Sequence, residues 1–401
     1  MKMIQVQFRQ SRLTFLIFFK PGMNKRSLFY FSTYFPTIFL SSIIFALTYF
    51  SISLIPLWNG GDHEVDRINM AVHDHFTISL TPKIMAKSDS DNITISHSIL
   101  DEVHKDSLEK TVRDLSSFHT RHTESELIDD VAYWLTEKLQ NTCSRDVYIH
   151  NFTYIPDEDD NADSKRRQQQ QQEQEQRQEK MPLYHLKNLV CEKPGSTNNT
   201  IMISAHYDSR MEDINNSTVR APGADDNASG VSALLEVARV LSNVSLDHSI
   251  IFVLFSGEEQ GKWGSTHYAD LIDTKDVDLN LLINLDMVGF ALEGTNDFLI
   301  EYDNGNVVQD NDKSSRAVAS FIKKVAEKYI NLNATLGLLG NSDYLPFEAL
   351  GYTVIGFHDD GVTNNPNHHK STDTPDILNY EYLTSVTKLI LATILSLDKD
   401  K

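Results

Sequence analysis

A strand, a loop and a helix follow one another directly near the middle of this chain, with polar residues between them. Residues 200–204 (Thr-Ile-Met-Ile-Ser) form an apolar run typical of a buried strand, and residues 231–241 place Val, Leu and Ala at the spacing of one helix face. His206 and Asp208 therefore follow the end of a strand, and Asp225 lies in the loop that opens the helix. Ligands of open α/β sheets bind at the carboxyl ends of the strands. The pattern predicts a binding site at this edge.

Further strand-like runs end in the same way. Residues 248–255 and 281–285 are apolar runs followed closely by acidic residues, and a histidine comes after the strand-like run 352–357. These polar residues are Glu258, Glu259, Asp286 and His369. Imidazole nitrogen and carboxylate oxygen are the ligands of catalytic zinc sites, which leave a position for water. Because a carboxylate behind a histidine fixes the ring angle, Asp208 is expected to orient His206.

The chain resembles the M28 family of dizinc peptidases in five segments that occur in the family's order. The segments are SAHYDS (204–209), GADDNASG (223–230), SGEEQG (256–261), NLDMVG (284–289) and HKSTDT (369–374). The resemblance is greatest to the leucyl aminopeptidase branch and covers roughly residues 98–397. It implies an α/β fold with a mixed, mostly parallel central sheet and helices on both faces.

The resemblance also implies two zinc ions per chain and a role for each site residue. The implied ligands are His206, Asp225 and Asp286 for one zinc, and Asp225, Glu259 and His369 for the other, with Asp225 as the bridge. Two zincs about 3.5–4 Å apart lower the pKa of a water held between them. Glu258 would be the catalytic base that takes the proton of this water and passes it to the leaving amine. Asp208, behind His206, would be the second catalytic residue.

Three positions leave alternatives open. Met287 would line an apolar pocket for the substrate's N-terminal side chain, as in relatives that prefer large apolar residues, or would pack in the core. His368 stands beside His369, and the family's spacing to the next aspartate selects His369. Leu339 replaces a tyrosine that helps to hold the oxyanion in the aminopeptidase branch. That role would pass to the zincs or to another donor such as Tyr344.

The N-terminal part of the chain predicts a membrane anchor. Residues 1–27 are polar and basic, residues 28–57 contain no charge, and acidic residues follow. The apolar stretch Thr37–Leu57 has 21 residues and is long enough to cross a bilayer as a helix. Basic residues before the helix and acidic residues after it predict a cytosolic tail and a catalytic domain in the secretory-pathway lumen or outside the cell. A cleaved signal peptide is the alternative.

The part of the chain after residue 57 is predicted to divide into a stalk, residues 58–97, and a zinc peptidase domain, residues 98–401. Within this domain residues 157–180 are rich in Gln and almost free of apolar side chains, which predicts a disordered insertion. The strands on its two sides are expected to pair. That pairing would bring Cys143 and Cys191 to one region, where they form a disulfide or remain buried thiols.

Charge and motif content narrow the possible partners. The formal net charge of −20 offers no basic surface for nucleic acid. Eight Asn-x-Ser/Thr sequons support a glycoprotein, although the sequon at Asn227 lies inside the metal loop and is expected to be unmodified. His119 and His122 are expected to be ordinary polar positions, because the metal ligands are complete without them. The sequence does not specify the oligomeric state.

The predicted function is a membrane-anchored zinc aminopeptidase that releases N-terminal, apolar residues from peptides. A carboxypeptidase or dipeptidase of the same family shares every ligand and would need a basic group, such as Arg210, to bind the substrate's carboxylate. Glutaminyl cyclase has the same fold with one zinc. A binding ectodomain without catalytic activity is the fourth possibility, and it would not need the ligands or the base.

Overall fold

The computed structural model describes residues 2–7, 14–19, 53–55, 95–143, 147–154, 184–359 and 365–398. The chain forms two compact units, Met1–Ser79 and Leu80–Lys401. The described part of the first unit is an antiparallel sheet in the order β2-β1-β3. Its strands are β1 (Lys2–Gln7), β2 (Thr14–Phe19) and β3 (Ser53–Ile55).

The expected transmembrane helix at residues 28–57 lies outside the described residues, except for Ser53–Ile55. These three residues form strand β3 where a helix was expected, because they pair with Gln5–Gln7 of β1. Among the residues that the structure describes, no helix combines the length and the apolar character needed to cross a membrane. The anchor remains a prediction.

The second unit is built on an eight-stranded mixed sheet in the order β10-β9-β11-β8-β6-β7-β5-β4. Its strands are β4 (Tyr148–Tyr154), β5 (Tyr184–Lys193), β6 (Thr200–His206), β7 (Ser249–Phe255), β8 (Leu279–Leu285), β9 (Asp297–Tyr302), β10 (Asn333–Leu338) and β11 (Val354–Asp359). The four central strands β11, β8, β6 and β7 are parallel to one another. The pairs β4–β5, β5–β7 and β9–β11 are antiparallel, whereas β9 and β10 are parallel.

Helices pack on both faces of this sheet. They are α1 (His97–Leu100), α2 (Lys105–Ser117), α3 (Ile128–Thr142), α4 (Gly230–Leu241), α5 (Trp263–Thr274), α6 (Asp312–Tyr329), α7 (Leu345–Ala349) and α8 (Tyr380–Asp398). Along β6, Ile201 and Ile203 pack into the core cluster that contains α2, α3, α4, α6 and α8. Met202 lies between them in sequence and packs into the cluster that contains α5 and α7. Because side chains alternate across a strand, the apolar run of β6 serves both cores.

Strands β4 and β5 pair from Tyr148–Val190 to Tyr154–Tyr184, which confirms the pairing expected across the insertion. The insertion itself, residues 157–180, lies outside the described residues. Cys143 follows the end of α3, and its disulfide with Cys191 of β5 ties that helix to the sheet, with Cα atoms 6.5 Å apart. The last helix, α8, is buried along most of its length.

The parallel central strands all end at one edge of the sheet. Strand β6 ends at His206, β7 at Phe255, β8 at Leu285 and β11 at Asp359. The loops that follow β6, β7 and β8 therefore leave from the same side of the molecule. This edge carries the candidate site.

Candidate active site

His206 is in contact with two carboxylates. Nε2 of His206 lies 3.3 Å from Oδ1 of Asp226 and 3.3 Å from Oδ1 of Asp286. His206 is the last residue of β6, and Asp286 directly follows β8, the neighbouring parallel strand. The His206 ring is 1% exposed, so its neighbours in the protein determine its charge and orientation.

His369 makes a matching pair of contacts on the other side of Asp226. Nε2 of His369 lies 3.1 Å from Oδ2 of Asp226 and 3.2 Å from Oε2 of Glu259. The carboxylate of Asp226 therefore has one oxygen against each histidine. Asp226 and Glu259 hold the pKa of His369 up at about 9, although burial opposes this.

Asp226, and not Asp225, occupies the position between the two histidines. Oδ1 of Asp225 accepts a hydrogen bond from the amide of Gly289 (3.0 Å), and Oδ2 accepts one from Nδ2 of Asn365 (2.9 Å). Burial, Asp359 and Asp373 raise the pKa of Asp225 well above its usual value. The structure therefore places Asp226 between the two histidines, where Asp225 was expected, because the carboxylate of Asp225 is directed into the protein and held there.

The backbone around these two aspartates explains the difference. Asp226 has φ −106° and ψ 90°, so its side chain leaves the helical path of the surrounding residues. The carboxylate of Asp373 accepts hydrogen bonds from the amides of Asp225 (2.9 Å) and Asp226 (3.2 Å). Gly223 approaches so closely that an added Cβ would lie 2.4 Å from the carbonyl oxygen of Asp226. A side chain at position 223 would therefore displace the loop.

Asp208 connects two strand ends. Its carboxylate accepts hydrogen bonds from the amides of Gly257 (3.0 Å), Glu258 (3.3 Å) and Glu259 (3.1 Å), and from Oγ1 of Thr123 (3.0 Å). Oδ1 also lies 3.6 Å from Nδ1 of His206. Burial alone would raise the pKa of Asp208, but His206 and these donors hold it below its usual value. Asp208 thus stays ionised and fixes the turn that carries both glutamates.

Glu258 lies beside this cluster. Among the ion pairs of the described residues, none joins Glu258 to His206 or His369. Burial raises its pKa well above the usual value. His206 opposes this shift, while Asp286, Asp343 and Glu259 add to it. A carboxylate whose pKa is raised toward neutral pH is a suitable proton acceptor.

A chain of side chains holds Asp286. Oγ of Ser342 donates to Oδ2 of Asp286 (2.5 Å), Nδ2 of Asn284 donates to Oγ of Ser342 (2.8 Å), and Oγ of Ser204 donates to Oδ1 of Asn284 (2.6 Å). These supporting residues were not predicted from the sequence. The polar Ser204 and Asn284 in otherwise apolar strands are the signal that was available.

The buried cation Arg121 was also not predicted from the sequence. Its guanidinium donates to the backbone carbonyls of Tyr207, Leu115, Pro222 and Gly223. Burial lowers its pKa to about 10, so it remains charged at neutral pH. It therefore fixes both ends of the loop that separates His206 from Asp226.

The remaining candidates lie outside the cluster. His119 and His122 place Nε2 against the carbonyl oxygens of Thr218 (3.1 Å) and Ile214 (2.8 Å) in that same loop, as expected for residues that are not ligands. Met287 is 3% exposed and has φ 55°, and its pocket role remains a prediction. The hydroxyl of Tyr344 donates to Glu301 and is buried, which removes Tyr344 as a free oxyanion donor.

The donor set fits zinc. Two ligand atoms about 2.0–2.1 Å from a tetrahedral zinc lie about 3.3 Å apart, and the four contacts of His206 and His369 measure 3.1–3.3 Å. Oε1 of Glu259 is buried without a hydrogen-bond partner. Several carboxylates buried together destabilise the fold unless cations compensate them. The cluster is therefore suited to hold divalent cations.

The model of peptidase family M28 matches residues 188–394, a range that contains every residue of this cluster. The chain belongs to peptidase family M28. The resemblance seen in the five sequence segments, and the prediction of a peptidase, are thereby confirmed.

Individual relatives match most of the chain. A probable zinc metalloprotease of Pyrenophora tritici-repentis is 28% identical over an alignment of 342 residues that covers 75% of each chain. Leucine aminopeptidase 1 of Coccidioides posadasii is 26% identical over an alignment of 303 residues that covers 73% of this chain and 71% of the relative. The crystal structure of the LapA aminopeptidase of Legionella pneumophila superposes with a TM-score of 0.58 at 22% identity, covering 75% of this chain and 74% of that one. The structural likeness establishes the shared fold.

Proposed function

We propose that this M28 peptidase is an aminopeptidase that binds two zinc ions. The observation that carries the proposal is the carboxylate of Asp226, which presents Oδ1 to His206 and Oδ2 to His369. One zinc would be held by His206, Asp226 and Asp286, and the other by Asp226, Glu259 and His369. A shared carboxylate of this kind serves two metal positions, whereas a single-zinc site does not need it.

The chemistry follows from the groups around these positions. Bound zinc would supply positive charge that polarises a scissile carbonyl and makes water more acidic. Glu258 takes the proton from the attacking water and gives it to the leaving amine, for which its raised pKa is suited. Asp208 fixes the backbone of the Glu258 turn, and Ser342 fixes Asp286. The base and the ligands therefore keep a constant relative position.

The site favours a free amino group over a free carboxylate in the substrate. A carboxypeptidase or dipeptidase needs a cation to bind the substrate's carboxylate, and Arg210 was the candidate. Nε of Arg210 donates to Oε2 of Glu259 (2.8 Å) and Nη1 donates to the carbonyl of Met211 (3.1 Å). The guanidinium is thus engaged with a carboxylate of the site. The name of the leucine aminopeptidase relative supports an aminopeptidase.

The test is metal content together with hydrolysis. We expect two zincs per purified chain, and hydrolysis of leucyl arylamides that stops on chelation and returns with zinc. One zinc per chain, with cyclisation of N-terminal glutamine and no arylamide hydrolysis, would favour a glutaminyl cyclase. Metal binding without hydrolysis of any aminoacyl arylamide would favour a binding ectodomain.

We also propose that the catalytic domain lies in the secretory pathway or outside the cell, anchored by residues 28–57. The Cys143–Cys191 disulfide supports an oxidising compartment. Among the described residues, five sequon asparagines are exposed and accessible to glycosylation, namely Asn151, Asn198, Asn215, Asn243 and Asn333. Protection of the catalytic domain from added protease in sealed microsomes is expected, and its digestion would place the domain in the cytosol.

A further inference from the structure

Two adjacent imidazoles reach the same oxygen of Asp226. Nε2 of His368 lies 3.2 Å from Oδ2 of Asp226, and Nε2 of His369 lies 3.1 Å from it. The ring centroids are 3.6 Å apart, and the ring planes are inclined by 34°. The spacing of the sequence motif selects one histidine, but the structure brings both to the cluster.

The backbone turn makes this arrangement possible. Neighbouring side chains of an extended segment point to opposite sides. His369 instead has φ 55°, in the left-handed region, and this turns its ring to the side of His368. The amide of Lys370 donates to the carbonyl of Asn367 (2.9 Å), and Nζ of Lys370 donates to the carbonyl of Pro366 (2.8 Å). The shared direction of the two rings is therefore fixed by the turn.

The distances match those of ligands on one metal ion. The ligand atoms of Asp226, His368 and His369 lie within 4.8 Å of one another. The distances from the two imidazole nitrogens to the shared oxygen are close to about 3.3 Å, the separation expected for two ligand atoms of one zinc. His368 is half-buried, with 32% of its side chain exposed, so the ring is partly withdrawn from water toward the cluster.

We infer that His368 is a further protein ligand of the metal held by Asp226, Glu259 and His369. The inference rests on the proposed function, because it concerns the same metal position. Catalytic zinc can accept five ligands, so four protein ligands still leave a position for water or substrate. The two metal positions then differ, since the position next to His206 has one imidazole and the other has two. The metal next to His369 should be the last to leave on chelation.

The experiment replaces zinc by Co²⁺ in the full chain and records paramagnetic proton NMR. Each imidazole that binds Co²⁺ through Nε2 contributes one strongly shifted, exchangeable ring N–H signal. The wild type should show three such signals, and His368→Ala should show two while keeping both metals. His369→Ala should keep both metals with the affinity of one weakened, and the double variant should lose one metal. The control is His185→Ala, an exposed histidine of β5.

Two signals in the wild type, unchanged in His368→Ala, would overturn the inference and reduce His368 to a hydrogen-bonding neighbour. The same conclusion follows if His369→Ala alone empties one position. A wild-type chain that binds no divalent metal would overturn the proposed function itself, and elemental analysis shows this before any spectrum is recorded. The signal count of the wild type decides the question even if a variant does not fold.

Discussion

Asp225 and Asp226 are neighbours in the chain, and their surroundings make opposite predictions for their replacement. Asp226→Asn should lose both metals, because its two oxygens face the two histidines. Asp225→Asn should keep both metals and most activity, since its amide oxygen can still accept the hydrogen bond of Gly289 and only the bond from Asn365 is lost. Elemental analysis and arylamide hydrolysis of both variants check this. Loss of metal from Asp225→Asn with retention in Asp226→Asn would reverse the assignment.

Replacement of Glu258 distinguishes a loss of catalysis from a loss of metal binding. Glu258→Gln keeps the size of the side chain but cannot accept a proton, so kcat should fall by about 10²–10⁴-fold with both zincs retained and KM little changed. Glu259→Gln is the matched comparison on the same turn and should lose zinc, because Glu259 contacts His369. Steady-state kinetics with metal analysis distinguishes them. If Glu258→Gln loses metal and Glu259→Gln does not, the two roles are exchanged.

Sequence reasoning identified most of the side chains that meet at this site, but it could not choose within pairs of identical neighbours. The motif contains Asp225 and Asp226 side by side, and only the backbone angles at Asp226 show which carboxylate faces the histidines. The same difficulty applies to His368 and His369. The turn that directs both rings has left-handed backbone angles at His369, and no glycine in the sequence indicates it. At this site the residue types indicate the kind of chemistry, and the local backbone geometry determines which of two neighbouring side chains faces the cluster.

Strand β9 carries a buried acid that gives the fold a pH dependence. Burial raises the pKa of Glu301 from 4.5 to about 7, opposed by the hydrogen bond from Tyr344. The folded chain therefore binds this proton more tightly than the unfolded chain. Its contribution to stability is complete below about pH 4.5 and is lost as the pH rises to 7, at most about 3 kcal/mol.

Glu301→Gln should remove this dependence, because glutamine carries no titrating proton and can still accept from Tyr344. Urea unfolding of wild type and variant between pH 5 and 8 measures it, and the variant should gain relative stability toward pH 8. Glu293→Gln, at an exposed position, is the control. A constant difference between Glu301→Gln and wild type across this range would contradict the prediction.

The strands and helices were largely predictable, whereas their order in the sheet was not. The apolar runs of β6, β7 and β8 are continuous because these strands are covered on both faces, and this pattern is visible in the sequence. Strand β11 lies between β8 and β9, although it follows both in the chain. No local pattern encodes that insertion, since it depends on long-range pairing.

The disulfide should stabilise the second unit as a whole. It closes a loop with a sequence separation of 48 between Cys143 and Cys191, for which loop entropy gives about 2–4 kcal/mol. The double replacement of both cysteines by alanine should lower the free energy of unfolding by that amount. Reductant should destabilise the wild type equally and leave the double variant unchanged. A double variant that still responds to reductant would show that the effect arises elsewhere.

The buried guanidinium of Arg121 has a consequence for engineering. It holds the carbonyls of Tyr207 and Gly223, and so it anchors both ends of the loop between the first histidine and the shared aspartate. Residues 211–218 of that loop are largely exposed and contain no metal-site residue. These residues can therefore be exchanged while both ends of the loop stay fixed. A library randomised over these residues would search for new substrate selectivity while the histidines and carboxylates of the site keep their positions.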